Sequence, residues 1–186
     1  MKRNGGDYDF IDVLIRRSTD GGKTFAPAVK LVDHTTYGNG PVNNIRSESV
    51  LHRRLVAISP DGVSGWQVRG FDNALQDPVC MASILRHDWA AGDQAGRLLF
   101  ANPDPINQTP NPCFDRKHLT VKMSLDDGTT WPLTKVLEEG PAGYSDLACL
   151  SDGTALCFYE CDAVTHMCDT RFLRLARFDK QFLQKG

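Results

Sequence analysis

The sequence predicts an all-β protein built as a β-propeller. Short runs rich in β-branched and aromatic residues recur along the 186-residue chain, each bounded by Gly, Pro, Asn or Asp. No long window has the periodicity of an amphipathic helix. One turn phrase occurs twice, as "RSTDGGKTF" near the start and as "MSLDDGTTW" in the second half. Repetition of a small antiparallel unit is typical of radial architectures such as the propeller, and the alternative is a β-sandwich with similar turns.

The predicted strands lie in "FIDVLIRRS", "RRLVAIS", "GRLLFAN", "HLTVKMS", "DLACLS" and "TALCFYE". The last two runs predict a hairpin, in which Asp152 and Gly153 supply the positive φ angles of a type I′ turn. In that register Cys149 and Cys157 point to opposite faces, so we do not expect a disulfide between them.

The repeated phrase aligns with itself as Ser-x-Asp-x-Gly-x-x-aromatic, from Ser18 to Phe25 and again from Ser124 to Trp131. A degenerate third copy runs from Ser59 to Trp66 and lacks the central glycine. The aspartate can accept backbone N–H bonds, the glycine relieves a steric limit, and the aromatic ring covers the turn. The phrase therefore predicts a turn that fastens a hairpin, with a structural role.

Composition excludes several classes of protein. The formal net charge of −2 provides no broad basic surface, so we expect no nucleic-acid binding. No apolar run approaches the roughly 20 residues that span a bilayer, and the start lacks the apolar stretch of a secretory signal. The sequence therefore assigns no cellular compartment. The six cysteines have no CxxC spacing and are expected to be buried free thiols, although an even number permits disulfides. The five histidines are scattered, and no metal ligand set is apparent.

The Ser-x-Asp-x-Gly-x-x-Trp phrase resembles the Asp-box, or BNR repeat, of the sialidase (neuraminidase) superfamily, which unrelated propellers also carry. This resemblance implies a six-bladed propeller, and at about 40–50 residues per blade the chain covers only part of one. We therefore expect residues 1-186 to form a partial sialidase-like propeller domain. An internal junction is expected near residues 43-44, where "GNGPVN" passes directly into "NIRSES".

The same resemblance implies catalytic carboxylates and a nucleophile. The opening "NGGDYDFIDVLIRRSTDGGKTF" resembles the sialidase segment that carries the acid/base carboxylate, which falls on Asp7, with Asp9 and Asp12 as weaker candidates. The stretch "EEGPAGYSDLACLSDGTALCFYE" resembles the segment that carries the nucleophile, here Tyr144. Its last residue, Glu160, matches the glutamate that braces the first arginine of an arginine triad.

Two arginines of that triad are implied by further matches. "NIRSESVLHRRLVAIS" places the second arginine on Arg46, and "FDRKHLTVKMSLDDGTTW" places the third on Arg116. Guanidinium groups suit this chemistry because they are planar, permanently charged and able to hold a carboxylate through paired hydrogen bonds. The segments that carry the first arginine and the Tyr-activating glutamate have no match in this chain, and Glu48 lies on the wrong side of Arg46 for that role.

The resemblance thus implies an exo-α-sialidase that cleaves terminal sialic acids from glycoproteins, gangliosides or oligosaccharides without a cofactor. Two alternatives stay open. One is a module that binds sialic acid without cleaving it, and the other is a structural Asp-box propeller fragment. Because an incomplete propeller leaves blade edges uncovered, we also expect possible self-association.

Overall fold

The computed structural model describes residues 13–32, 51–60, 64–89, 91–105, 115–163 and 169–185. The described chain is nearly all β, which confirms the predicted class. Its strands are β1 (Val13–Ile15), β2 (Val29–Val32), β3 (Arg53–Ile58), β4 (Gln67–Gln76), β5 (Ser83–Asp88), β6 (Arg97–Pro103), β7 (Lys117–Ser124), β8 (Leu133–Cys149), β9 (Ala155–Cys161) and β10 (Phe172–Phe178). One short helix, α1 (Lys180–Gln184), follows them. Within these ranges no helix has the length and apolar character needed to span a membrane.

The chain divides into two compact units, Met1–Asn73 and Ala74–Gly186. In the first unit β1 pairs with β2, and β3 pairs with β4. A small cluster centred on buried Leu55 packs with Val68 and Phe71. The predicted junction near residues 43-44 lies outside the described residues and stays a prediction.

In the second unit, β5 to β10 follow one another in an antiparallel meander. The 17-residue strand β8 changes partner along its length, because residues up to Pro141 pair with β7 and residues from Ala142 onward pair with β9. β8 therefore joins β5, β6 and β7 to β9 and β10 within one six-stranded sheet. Propeller blades are four-stranded sheets, and a strand that passes from one set of partners to another is compatible with the predicted architecture.

The largest buried cluster of the second unit lies against one face of β9, whereas β6 and β7 are buried on both faces. In β9 the residues alternate, with Ala155, Cys157, Tyr159 and Cys161 buried and their neighbours more exposed. This period of two is the signature of a strand with one face covered. Further buried side chains come from the preceding strands: Leu99, Ala101, Leu119, Val121, Met123 and Leu147.

The hairpin between β8 and β9 differs from the predicted type I′ turn. The Leu150 N–H donates to the Thr154 carbonyl (2.8 Å), and the Gly153 N–H donates to the Leu150 carbonyl (3.0 Å). Gly153 has φ +83°, whereas Asp152 is not among the residues with positive φ. The loop therefore has three residues and ends in a left-handed glycine, which is the other common short hairpin loop.

This extra loop residue moves the register by one, so the predicted orientation of the two cysteines was wrong. Cys149 pairs with Ala155, and Leu147 pairs with Cys157, which places both cysteines on the same face. Their thiols are nevertheless free, as expected. Burial raises the pKa of the Cys157 thiol to about 12, so this group stays protonated at neutral pH.

The repeated phrase forms the same hydrogen-bonded turn in both full copies. In the first copy the Ser18 hydroxyl donates to Asp20 Oδ1 (2.8 Å) and accepts from the Gly22 N–H (2.8 Å). The Thr24 N–H then donates to Asp20 Oδ1 (2.9 Å), and the Thr24 hydroxyl donates to Asp20 Oδ2 (2.6 Å). The aspartate thus accepts a backbone N–H bond in the turn, as the sequence predicts, and the serine hydroxyl accepts another that was not predicted.

The second copy repeats these bonds through Ser124, Asp126, Gly128 and Thr130, at distances of 2.7, 2.8, 2.8 and 2.6 Å. It connects β7 to β8. In the degenerate third copy, by contrast, the Ser59 hydroxyl donates to the Ser64 carbonyl (2.6 Å).

Candidate functional site

Tyr144 lies on β8 just after that strand changes partner. The alternation along this part of β8 buries Ser145 and Leu147 and leaves Tyr144 38% exposed. Its ring therefore belongs to the face of the sheet opposite the core. An exposed tyrosine at this point of β8 can reach a ligand, which a core tyrosine cannot.

Glu160 lies next to Tyr144 on the neighbouring strand β9. Its Oε2 accepts a hydrogen bond from the Tyr144 backbone N–H (2.9 Å). Gly143 makes this contact possible, because a Cβ at that position would lie 2.2 Å from Glu160 Oε2. The carboxylate thus fixes the backbone that carries Tyr144, and the glycine before the tyrosine is required for that approach.

Arg116 immediately precedes β7, and its side chain reaches the Tyr144 ring. Its carbonyl accepts from the Ala142 N–H (3.0 Å), so its backbone is bonded to β8 just before Tyr144. Its guanidinium carbon lies 5.6 Å from the centroid of the Tyr144 ring. This distance is within the range of a cation–π contact.

The Arg116 side chain is also held from a second direction. Its Nη2 donates to the Val79 carbonyl (2.7 Å). Val79 is fully buried and has φ +54°, a rare conformation for a β-branched residue. The turn is closed by Asp77, whose Oδ1 accepts from the Cys80 N–H (3.3 Å). Backbone strain of this kind persists where the surroundings impose it, and here it aims a carbonyl at Arg116.

The structure therefore brings together Arg116, Tyr144 and Glu160 of the predicted site. Asp7 and Arg46, with the weaker candidates Asp9 and Asp12, lie outside the described residues. Gly143 and Val79 were not predicted. The "EEGPAGY" run signals Gly143 only as a loop residue, and the Asp-Pro pair before Val79 signals a turn without indicating what its carbonyl contacts.

The chain is similar in sequence to curated sialidases. It is 39% identical over 120 residues to a sialidase of Micromonospora viridifaciens, a match that covers 63% of this chain and 18% of the relative. It is 35% identical over 120 residues to a sialidase of Bacteroides fragilis, covering 61% and 20%. The matches thus span about a fifth of the length of these relatives. No family model matches the chain.

The fold is also that of solved sialidases. The NanB sialidase of Streptococcus pneumoniae matches with a TM-score of 0.68, covering 95% of this chain and 28% of that one. Sequence identity in this comparison is 13%, so the likeness concerns the fold alone.

Fold and site together define an incomplete β-propeller in which an arginine, a tyrosine and a glutamate lie close to the point where β8 changes partner. The curated relatives and the solved structures support a chain of the sialidase superfamily that covers part of the catalytic domain.

Proposed function

We propose that this chain contributes the nucleophile side of an exo-α-sialidase site, which cleaves terminal α-linked sialic acids from glycoproteins, gangliosides and oligosaccharides. The observation that carries the proposal is the joint placement of Arg116, Tyr144 and Glu160. One guanidinium lies over the tyrosine ring, and one carboxylate holds the tyrosine backbone. The similarity to two curated sialidases supports it further.

In this proposal Arg116 binds the substrate carboxylate. Sialic acid carries that carboxylate on its anomeric carbon, so a guanidinium beside the nucleophile orients the bond to be cleaved. Arg116 donates one N–H to the Val79 carbonyl, and the fork of a guanidinium has further N–H groups for a ligand. Arg46 is proposed to share this task.

Tyr144 is proposed as the nucleophile of a retaining mechanism. A carboxylate nucleophile would be repelled by the substrate carboxylate, whereas a phenol is neutral. The Tyr144 oxygen attacks the anomeric carbon while its proton passes to a base, and the bond to the leaving oxygen breaks as Asp7 protonates that oxygen. Asp7 then deprotonates water, which displaces the tyrosine. Two displacements retain the configuration.

Glu160 is proposed as a positioning residue in this scheme. Its carboxylate is bonded to the Tyr144 backbone and contacts Gly143, so it fixes where the phenol can point. In this scheme Glu160 takes part in no proton transfer.

A second candidate function is binding of sialic acid without cleavage. Across the described residues, no carboxylate accepts a hydrogen bond from the Tyr144 hydroxyl, although the proposed attack needs a base for that proton. Such a site would retain Arg116 as a carboxylate ligand and lack turnover.

The test is release of 4-methylumbelliferone from its α-sialoside by the purified chain and by Tyr144→Phe. The matched control is Tyr159→Phe, which removes a hydroxyl from the neighbouring strand β9. Hydrolysis lost only in Tyr144→Phe supports the sialidase. Saturable binding of the α-sialoside without hydrolysis, weakened by Arg116→Ala, supports the second candidate. Neither binding nor hydrolysis by folded protein would contradict both.

Self-association also stays a prediction. It is supported by the edge strand β10, where Leu173 and Leu175 are 64% and 62% exposed. Sedimentation of the purified chain at increasing concentration tests it, and a monomer at every concentration would contradict it.

A further inference from the structure

Trp89 is presented to solvent just after β5. It is 79% exposed, more than any other large apolar side chain in the part of the chain that the structure describes. The guanidinium carbon of Arg86 lies 5.0 Å from its ring centroid. A large ring held outward contributes little to folding and is accessible to a ligand.

The Arg86 guanidinium beside Trp89 is held by a set of polar contacts. Arg86 is paired with Asp127 of the second repeated turn. Asp127 Oδ2 accepts from the Gly96 N–H (3.1 Å), and the Asp127 N–H donates to the Gly96 carbonyl (3.1 Å). A Cβ on Gly96 would lie 2.4 Å from Arg86 Nη1, so only glycine leaves room for this arrangement. The Trp89 ring therefore packs on the Arg86 guanidinium, which is itself bound to Asp127.

A cavity of about 600 Å³ lies beside Trp89. Its polar lining carries both signs of charge, from Asp88, Asp93, Arg97 and Lys180, and the neutral amide of Gln94. Asp88 is engaged by an ion pair with Arg97 and by His87 Nδ1 (3.1 Å). Among the other lining residues, Asp93 supplies an acceptor, Gln94 an amide and Lys180 a donor.

This cavity is separate from the Tyr144 site. Arg116 precedes the first residue of β7, whereas the lining residue Leu125 follows its last. An eight-residue strand at roughly 3.3 Å per residue is about 26 Å long, so the two sites lie at opposite ends of the sheet.

We propose that the Trp89 cavity binds a neutral pyranose unit of a glycan. A pyranose has an apolar C–H face, which suits a flat indole, and a rim of hydroxyls that both donate and accept hydrogen bonds. Asp93, Gln94 and Lys180 match that rim. Because two carboxylates and two cations line the cavity, the lining has no net charge that would favour a charged sugar. A second sugar site would hold a glycoconjugate while its terminal residue is processed elsewhere.

The test is titration of the chain with methyl β-galactopyranoside, methyl β-glucopyranoside and methyl α-mannopyranoside, followed by tryptophan fluorescence and saturation-transfer NMR. We expect saturable binding of at least one glycoside, weakened about tenfold or more in Trp89→Ala. Phe25→Ala is the matched control, because Phe25 is also exposed beneath a guanidinium (5.7 Å) but does not line this cavity. The Phe25→Ala variant should bind the sugar with the affinity of the unmodified chain.

Gln94→Ala tests the rim of the cavity without touching the ring, and it should weaken binding less than Trp89→Ala does. Since both side chains are exposed, both variants should keep the melting temperature of the parent. The proposal is overturned if the folded parent binds none of the three glycosides, or if Trp89→Ala binds them with unchanged affinity. A third outcome is that the parent binds no sugar and that Trp89→Ala loses self-association. The surface around Trp89 would then be a protein contact, and the sugar-binding proposal would be overturned.

Discussion

The two full copies of the repeated turn have nearly the same internal hydrogen bonds but different surroundings. In both copies a serine and an aspartate bind the same backbone N–H groups at similar distances. Phe25 of the first copy is 52% exposed, whereas Trp131 of the second is 9% exposed and packs on Phe100 at 5.9 Å between ring centroids. The phrase therefore determines a local turn, and the packing around it determines how much stability its aromatic ring contributes.

The largest expected difference between the two copies concerns these rings. Trp131→Ala should lower the free energy of unfolding by about 3–5 kcal/mol, because it empties a packed position beside Phe100 and Leu75. Phe25→Ala should cost less than about 1 kcal/mol, since half of its ring is already in water. Urea unfolding followed by circular dichroism measures both. Equal losses would show that both rings are packed alike.

A smaller difference is expected at the aspartates. Asp126→Ala removes bonds to the Ser124 hydroxyl and to Thr130 in the connection between β7 and β8, and should cost about 1–3 kcal/mol. Asp20→Ala removes the equivalent bonds from an exposed turn of the first unit. It should leave the free energy of unfolding of the second unit unchanged. Amide exchange of β7 and β8 distinguishes the two variants. Slowed or unchanged exchange in Asp126→Ala would contradict this prediction.

The smallest expected difference between the two copies is in the pKa values of their aspartates. The Thr24 hydroxyl, the Thr24 N–H and the Ser18 hydroxyl bind the carboxylate of Asp20 and lower its pKa from 3.8 to about 2. Because this pKa is depressed on folding, its stabilising effect is fully present above pH 3.8 and is lost as the pH falls through about 2. At Asp126 partial burial raises the pKa, but hydrogen bonds from Thr130 and Ser124 outweigh burial and lower it.

Carboxyl carbon NMR titration measures both aspartates. Thr24→Val should move the Asp20 pKa back toward 3.8 and leave the Asp126 pKa unchanged. Thr130→Val should raise the Asp126 pKa and leave the Asp20 pKa unchanged. An Asp20 that already titrates near 3.8 in the unmodified chain would show that these bonds do not form in solution.

Much of the strand pattern follows from sequence, because β3, β6, β7 and β9 coincide with runs of β-branched and aromatic residues. The full length of β8 does not, since "EEGPAG" contains the residues of a loop. The strand continues through them because its register shifts there and its pairing passes from β7 to β9. That exchange depends on neighbouring strands, which a local pattern does not contain.

The candidate site shows the same limit. Its polar residues, Arg116, Tyr144 and Glu160, could be proposed from the order of motifs along the chain. The features that join them could not, because Gly143 and the Val79 carbonyl act through backbone geometry. A glycine needed for a close approach looks like any other glycine until the approaching carboxylate is located.

The hydrogen bond between Glu160 and the Tyr144 amide is the contact on which the proposed site depends most, and Gly140 and Gly143 of β8 offer a matched pair of substitutions. A Cβ at position 143 would meet Glu160 Oε2 at 2.2 Å, whereas a Cβ at position 140 would meet Glu138 Oε1 at an ordinary 3.7 Å. The measurement is the Tyr144 amide proton shift in ¹⁵N-labelled protein, together with α-sialoside binding or hydrolysis. We predict that Gly143→Ala moves this resonance upfield and impairs the site, while Gly140→Ala changes neither. An unchanged Tyr144 resonance in Gly143→Ala would contradict the role assigned to Glu160.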